Sequence, residues 1–465
     1  CRGQAFYDLM IGMNPTNDSE VYVGGIEIFK NTDAFKASPV AGDWSQLTDW
    51  TVNPTANGNA TANSLDGVHS DHHVMAFCPS QTSRVVFGCD GGVYYSNNSG
   101  NSIGERNKDY NVTQVYKGSI DQSIAGNKML GGLQDNGSQL VSNPATTGAG
   151  NEVYGGDGCW EFIDKQQQYM VVSYVYNTYI YCTYAGVATA YIANDNGGSD
   201  GDFVNQCGLD SNSNILYANG TSGTTYRIYR YAINPSTGAT TTTTLTDASI
   251  NAIPTYFEPS PYTTNRIMVG LSNGRLIRMN SANAATPTYV TLTTPFTGAI
   301  SDIKYGNSEN DLFVTIHNYG VTSVWYSADG GANWANKEGD LPNIPVKCIL
   351  QNPNATNEVI IGTELGIWYT VNLNAATPNW RRANAGMKDC KVLSLDYRAT
   401  DRTILAATFG RGMWTGQFWQ CGDLASTWNG SSWSNGVPTS KTAVTFAGNY
   451  TSTASLDACS VTVNT

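Results

Sequence analysis

The chain contains 465 residues, of which 13% are charged, and it carries a formal net charge of -12. This acidic balance excludes a nucleic-acid partner, because phosphate backbones are bound chiefly through clustered Lys and Arg. No stretch approaches the roughly 20 consecutive apolar residues of a transmembrane helix. With 48 glycines and 27 tyrosines, the composition is typical of short strands joined by tight turns, so we expect an all-β protein.

The ten cysteines form an even set without a CxxC pair, which argues against zinc-ribbon and thioredoxin sites. Disulfide bonding in an oxidising compartment is the simpler account, so we expect an exported protein. Cys78 with Cys89 and Cys421 with Cys459 are candidate pairs, since each pair brackets a single segment.

A repeated unit organises most of the chain. In each copy a turn rich in Pro, Asn, Asp and Ser leads to an apolar strand, a glycine turn and a second strand with an aromatic residue. Copies of the first strand begin at Val21, Val85, Met129, Ile215, Ile267, Leu312, Val359 and Ile404. Most copies lie about 40 to 55 residues apart, the length of one four-stranded blade. We therefore predict a β-propeller of about 7 to 10 blades over residues 1–420, in one ring or as part of two.

The pattern changes near residue 421. Trp428 and Trp433 flank a group of turn residues there, and alternating strands follow. Residues 421–465 are predicted to start a second, small β-sandwich-like module. Because the chain opens and closes within strand-like sequence, we expect both ends to be truncated.

The segment Ser327–Trp334 has the S-x-D-x-G-x-x-W pattern of an Asp-box, with Ser327, Asp329, Gly331 and Trp334 at its fixed positions. In this pattern the aspartate accepts backbone hydrogen bonds, the glycine supplies a positive φ and the tryptophan packs between blades. We expect these residues to have a structural role.

Several motifs together resemble known propellers. They are Gly3–Leu9, Val68–His73, Asp90–Tyr94, Leu133–Gly137 and Gly156–Gly158. Their order resembles that in large secreted Bacteroidota propeller proteins, and the Asp-box resembles those of sialidases, sortilin-type receptors and xyloglucanase-type glycoside hydrolases. The segment Thr427–Thr439 resembles a module that precedes a type IX secretion sorting domain. The resemblance implies export by the type IX secretion machinery, followed by release or attachment to the outer cell surface.

Three of the four histidines lie in the run Val68–His73. His69, Asp71 and either His72 or His73 offer nitrogen and oxygen ligands for a metal, or polar contacts for a glycan. In an extended strand His69, Asp71 and His73 would face one way and His72 the other, so a metal site would need the first three. The alternative is that these side chains hydrogen-bond neighbouring blade turns.

Three aspartates lie in glycine-containing turns, namely Asp90, Asp135 and Asp157. They are candidates for the general acid and base of glycoside hydrolysis, which needs two carboxylates at a defined separation, and Asn136 is a candidate ligand-binding residue beside them. The alternative is that each aspartate simply forms its turn. Sialidase activity is disfavoured, because Tyr226–Tyr229 lacks the proline of the F/Y-R-I-P motif.

The loop from Asp195 to Asp202 is rich in oxygen ligands and glycine, so Asp195, Asp200 and Asp202 form a candidate calcium site, with a solvated acidic loop as the alternative. No other cofactor is required. Tyrosines alternate between Tyr174 and Tyr184, where they could stack on sugars or pack between blades.

These observations favour a secreted or cell-surface β-propeller that recognises a polysaccharide or a cell-surface protein. One alternative is a xyloglucanase-like glycoside hydrolase that uses the turn aspartates. The other is a structural segment of a large surface adhesin or filament.

Overall fold

The computed structural model describes residues 6–33, 43–59, 64–144, 150–195, 198, 200–439, 441–452 and 455–464. These residues form 38 β-strands in ten small sheets and no α-helix. None of them belongs to a helix that could cross a bilayer. The chain divides into two compact units, Cys1–Tyr110 and Asn111–Thr465.

The first unit contains two four-stranded antiparallel sheets. The first comprises β1 (Met10–Asn14), β2 (Asn17–Gly24), β3 (Ile28–Asn31) and β4 (Trp44–Gln46). The second comprises β5 (His72–Cys78), β6 (Gln81–Cys89), β7 (Gly92–Ser96) and β8 (Gly104–Glu105). The two sheets share one apolar core that includes Tyr22, Val85 and Phe87.

The second unit contains seven antiparallel sheets that follow one another along the chain. The first sheet comprises β9 (Lys117–Ile120), β10 (Met129–Leu133), β11 (Gly137–Val141) and β12 (Asn151–Tyr154). The second comprises β13 (Phe162–Ile163), β14 (Tyr169–Ser173), β15 (Tyr179–Thr183) and β16 (Ala188–Ala193). The third comprises β17 (Cys207–Asp210), β18 (Ile215–Asn219), β19 (Ile228–Ile233) and β20 (Thr240–Leu245). The next two comprise β21 (Pro254–Pro259), β22 (Ile267–Leu271), β23 (Leu276–Asn280) and β24 (Thr288–Leu292); and β25 (Ile300–Tyr305), β26 (Leu312–Ile316), β27 (Val324–Ser327) and β28 (Ala335–Asn336). The last two comprise β29 (Val346–Gln351), β30 (Val359–Thr363), β31 (Gly366–Thr370) and β32 (Arg381–Arg382); and β33 (Lys391–Arg398), β34 (Thr403–Phe409) and β35 (Met413–Gln417).

These seven sheets close into a ring. First strands of neighbouring sheets contact one another, as β21 contacts β25 and β29 contacts β33, and a shared core joins the second sheet to the third. At the closure β33 contacts β9, where the Ile120 N–H donates to Asp396 Oδ2 (2.8 Å) and the Gly118 N–H donates to Ser394 Oγ (3.0 Å). The all-β, propeller-like architecture predicted from the sequence is confirmed.

Four consecutive first strands carry the same bulge. The register of β21, β25, β29 and β33 against the next strand shifts after residues 254, 300, 346 and 392, which are evenly spaced along the chain. A bulge redirects the side chains that follow it. Here the residues two and four places further on, such as Tyr256 with Glu258 and Asp302 with Lys304, line the central channel.

After the ring, the chain forms a three-stranded parallel sheet of β36 (Leu424–Trp428), β37 (Thr442–Phe446) and β38 (Ser460–Val463). Trp428 and Trp433 each pack edge to face against the ring of Tyr450. The predicted Cys421–Cys459 disulfide closes this segment.

The other predicted disulfide, Cys78–Cys89, is wrong, because both thiols are free. Cys78 ends β5 beside the turn into β6, whereas Cys89 ends β6, so the length of a nine-residue strand separates them. The remaining described cysteines are also free, which corrects the expectation of general pairing: Cys159, Cys182, Cys207, Cys348 and Cys390. Four of these five are buried, where a thiol packs as a small apolar side chain. Cys1 lies outside the described residues.

Candidate functional site

The channel of the second unit contains a cavity of about 380 Å³. Lys117 on β9, Trp160 just before β13, Tyr256 and Glu258 on β21 and Lys304 on β25 line it. First strands of a propeller converge on its axis, which explains how residues so distant in sequence meet there. None of these five residues was predicted from the sequence. The sequence signal that could have predicted them is a polar side chain that recurs at an equivalent position in the first strand of successive sheets.

Lys304 is neutralised within the channel. Its Nζ donates to Glu258 Oε2 (2.8 Å) and to the Tyr256 hydroxyl (3.0 Å), and it lies 3.7 Å from Asp302 Oδ1. Burial by itself would lower the pKa of Lys304, but Glu258, Tyr256 and Asp302 hold that pKa well above its usual value. Lys304 is therefore a fixed charge that holds the strands together.

Lys117 has a different environment. Its Nζ lies over three aromatic rings, 4.6 Å from the centroid of Trp160, 5.6 Å from that of Phe162 and 5.8 Å from that of Tyr256. Burial lowers the pKa of Lys117, and the positive charge of Lys304 lowers it further. Among the described residues, no carboxylate comes within 4.0 Å of this ammonium group.

A polar turn lies at one end of the channel. We call Gln134–Asn136, which joins β10 to β11, the mouth turn. All three of its side chains are exposed. The Tyr116 hydroxyl donates to Gln134 Oε1 (2.7 Å), and Tyr116 also lines the channel. The mouth turn therefore stands beside the channel opening.

The predicted residues Asp135, Asn136 and Asp157 come together in this turn. The Asp135 N–H donates to Asp157 Oδ1 (3.0 Å), and Asn136 Nδ2 donates to the Gln134 carbonyl (3.1 Å). Asp135 and Gly137 adopt the left-handed backbone that such a turn requires, with φ of 59° and 63°. Asp157 thus stabilises the turn, as the structural alternative predicted.

Two tyrosines flank the mouth turn. Burial raises the pKa of Tyr116 and that of Tyr174, and the nearby Asp135 and Asp157 carboxylates raise both further. Tyr174 packs against Gly156, where an added Cβ would lie 2.7 Å from the ring. The site therefore combines aromatic rings with amide and carboxylate groups.

Asp90 belongs to the first unit, where it accepts hydrogen bonds from neighbouring polar side chains. His73 Nε2 lies 2.7 Å from Asp90 Oδ1, and the Tyr7 hydroxyl donates to Asp90 Oδ2 (2.8 Å). Burial raises the pKa of Asp71, and the charges of Asp8 and Asp90 raise it further. Burial lowers the pKa of His72 to about 4, so this histidine is neutral at physiological pH.

The predicted common face of His69, Asp71 and His73 is corrected by the backbone. Asp71 has a φ of 66°, β5 begins only at His72, and a bulge follows His72. The alternation of an extended strand therefore does not apply to this run. His73 pairs with Asp90, while the His69 ring packs against Gly91, where a Cβ would lie 2.1 Å from His69 Cβ.

Ser327–Trp334 forms a closely hydrogen-bonded hairpin. Ser327 Oγ donates to Asp329 Oδ1 (2.8 Å) and accepts from the Gly331 N–H (2.9 Å), and Asp329 Oδ1 also accepts from the Asn333 N–H (2.8 Å). Hydrogen bonds from Asn333 and then Ser327 lower the pKa of Asp329 to about 2. Trp334 packs on Phe296, with ring centroids 4.8 Å apart.

The first unit contains an equivalent hairpin that the sequence analysis missed. Ser96 Oγ donates to Asn98 Oδ1 (2.9 Å) and accepts from the Gly100 N–H (2.8 Å), while the Ser102 N–H donates to Asn98 Oδ1 (2.8 Å). Asparagine thus replaces the aspartate. The signal was present as S-x-N-x-G after an aromatic strand.

The candidate calcium ligands do not converge. Asp200 Oδ2 accepts from Arg227 Nη2 and from the Tyr229 hydroxyl, both at 2.6 Å. Within the described ranges, Asp195, Asp200 and Asp202 do not form a group at metal-ligand separation. Asp200 therefore forms an ion pair, which corrects its assignment as a calcium ligand.

The tyrosine-rich strand follows the packing alternative. Tyr179 and Tyr181 are buried in the core between the second and third sheets of the ring.

Comparison with protein-family models finds no match, and comparison with curated proteins finds none either. Functional inference therefore rests on the channel and the mouth turn.

Proposed function

We propose that the chain is a secreted or cell-surface recognition module that binds polysaccharide at the mouth turn. The observation that carries this proposal is the pairing of Tyr116 and Tyr174 with exposed Gln134, Asp135 and Asn136. The apolar face of a sugar ring packs on aromatic side chains, and its hydroxyls bond to amide and carboxylate groups. A rigid propeller holds such a loop in place.

Recognition is favoured over glycoside hydrolysis. Hydrolysis needs two carboxylates free to exchange protons with substrate and water. At the mouth turn, Asp157 Oδ1 is engaged by the Asp135 N–H. The hydrogen bond gives Asp157 a structural role, so hydrolysis ranks second.

Export is proposed on separate grounds. The Cys421–Cys459 disulfide is favoured in an oxidising compartment. The resemblance to secreted Bacteroidota propellers adds the type IX secretion machinery as the route. A cell-surface protein partner and a filament segment are the remaining alternatives to polysaccharide.

The test is a panel of soluble polysaccharides, scored for retention of the chain by affinity electrophoresis and for release of reducing ends. We expect retention without release, and loss of retention in the Gln134→Ala/Asn136→Ala variant. Asn354→Ala/Asn357→Ala, which changes an exposed turn of another sheet, is the matched control. Release that is lost in Asp135→Asn/Asp157→Asn would establish a hydrolase instead. The absence of both signals would favour a protein partner or a scaffold.

A further inference from the structure

The channel cavity is a second candidate site, separate from the mouth turn. Its volume of about 380 Å³ lies within the range of roughly 300–1,000 Å³ that small-molecule sites occupy. Lys117, Trp160 and Tyr256 line it, together with Gln122, Ser211 and Asn212. The cavity thus combines aromatic rings and small polar groups with three lysines and with the carboxyl groups of Glu161, Asp210, Glu258 and Asp396.

The ammonium group of Lys117 has no counter-ion among the described residues of the cavity. It has three N–H donors, and in the described part of the chain none has an acceptor within hydrogen-bond distance. Lys117 is half-buried, and an ammonium group that is partly removed from water without a counter-ion loses hydration without gaining an ion pair. An anionic guest would remove that cost.

Among the described residues, none of the neighbouring carboxylates forms a direct ion pair with Lys117. Glu258 is bound to Lys304 at 2.8 Å. Asp302 Oδ2 accepts from the Ile349 N–H (2.9 Å), and Asp396 Oδ2 accepts from the Ile120 N–H (2.8 Å). These backbone bonds hold the two aspartates on their own strands.

The aromatic rings under Lys117 orient the ammonium group. A cation over an aromatic face is attracted by the negative charge of the ring face, but the ring faces do not replace a carboxylate as acceptor. Trp160 and Tyr256 also offer apolar faces to a guest that has a ring of its own. The guest that fits is therefore small, acidic and rich in hydroxyls.

We propose that the channel cavity binds a small hydroxylated carboxylate, with Lys117 as the residue that binds the carboxylate group. The proposal does not rest on polysaccharide binding, because the mouth turn contributes no residue to this cavity. Sugar acids of one ring are the simplest probes of this chemistry.

The experiment is isothermal titration calorimetry of the full chain with D-galacturonate and D-glucuronate, against D-galactose and D-glucose as neutral matches. We expect the acids to bind at least tenfold more tightly than the neutral sugars. The methyl ester of D-galacturonate keeps the ring and removes the charge, so it should lose the same factor. This comparison needs no variant protein.

Variants then locate the site. Lys117→Gln should weaken binding of the acids at least tenfold, Lys117→Arg should retain most of it, and Lys388→Gln, at an exposed surface position, should have no effect. Equal binding of acids and neutral sugars, no binding of any acid, or full binding by a folded Lys117→Gln variant would each overturn the proposal. Tighter binding of inorganic phosphate than of the uronates would overturn the carboxylate assignment.

Discussion

The sheets of the two units differ in how many of their faces are buried. In the ring, the second strands β10, β14, β18, β22, β26 and β30 are buried at every residue. In the first unit β6 alternates, with Val85 and Phe87 buried and Val86 41% exposed. A sheet with neighbours on both sides has two buried faces, and a sheet with one neighbour has one.

Two adjacent residues of β26 show that both faces of a ring strand are buried. Phe313 packs in the core between the fifth and sixth sheets, whereas Val314, the next residue, packs in the core on the opposite face. Each sheet therefore stabilises two neighbours. The continuous apolar sequence of these strands is a consequence of the ring.

The largest expected effect comes from removing a side chain between two ring sheets. Phe313→Ala should cost the second unit about 3–5 kcal/mol, because it leaves a cavity in a closed core. Val86→Ala on the exposed face of β6 is the matched control, with an expected change within about 0.5 kcal/mol. Hydrogen exchange read by peptide for each unit measures both. Similar costs for the two variants would show that the burial difference does not govern stability.

The C-terminal sheet is exposed along β38, and we expect it to depend on its disulfide. All residues of β38 are exposed, so apolar burial contributes little there. Cys421→Ala/Cys459→Ala opens a loop with a sequence separation of 38 residues, which should destabilise this segment by about 3–4 kcal/mol. Exchange in β36 to β38 should rise while exchange in the ring strands stays constant. Unchanged protection of β38 would contradict this dependence.

Burial within the ring also encloses the carboxyl group of Glu161. Burial raises the pKa of Glu161 to about 8, although Ser138 Oγ donates to its Oε1 (2.9 Å). Below the unfolded pKa of 4.5 the group is neutral in both states. Between that pH and about 8 only the unfolded state loses its proton, so stability falls as pH rises, and above 8 the loss is constant.

Glu161→Gln tests this sign, because glutamine keeps the hydrogen bond and cannot ionise. From pH 5 to pH 8 the parent chain should lose about 3 kcal/mol more stability than the variant, since one pKa unit corresponds to about 1.4 kcal/mol. Urea unfolding followed by tryptophan fluorescence at both pH values measures it. Equal slopes for the two proteins would mean that Glu161 is already ionised when folded.

The sequence predicted what depends on local pattern. Apolar strands, glycine turns and the Ser327–Trp334 hairpin follow from neighbouring residues, and the Cys421–Cys459 pair brackets one short segment. Lys117 and Lys304 could not be placed together from sequence, because their proximity depends on closure of the ring. The face of His73 was assigned wrongly, because the positive φ of Asp71 and the bulge after His72 break the extended alternation.

The smallest expected effect concerns the two serine hairpins. Each is bonded within one sheet, so its stability should not depend on how many neighbours that sheet has. Ser327→Ala and Ser96→Ala each remove a hydroxyl that accepts one glycine N–H and donates to one side chain. We expect losses of about 1–2 kcal/mol at both positions.

Hydrogen exchange of the peptides that contain Gly331 and Gly100 measures the two losses side by side. Val86→Ala again serves as the control, because it leaves both hairpins intact. Equal losses of stability at the two hairpins would show that local hydrogen bonding stabilises them, independently of the packing that differs between the two units. A loss confined to Ser327→Ala would mean that the serine bonds contribute only where the hairpin is also packed, as it is through Trp334 on Phe296. In that case two-sided packing would extend to the hairpins as well.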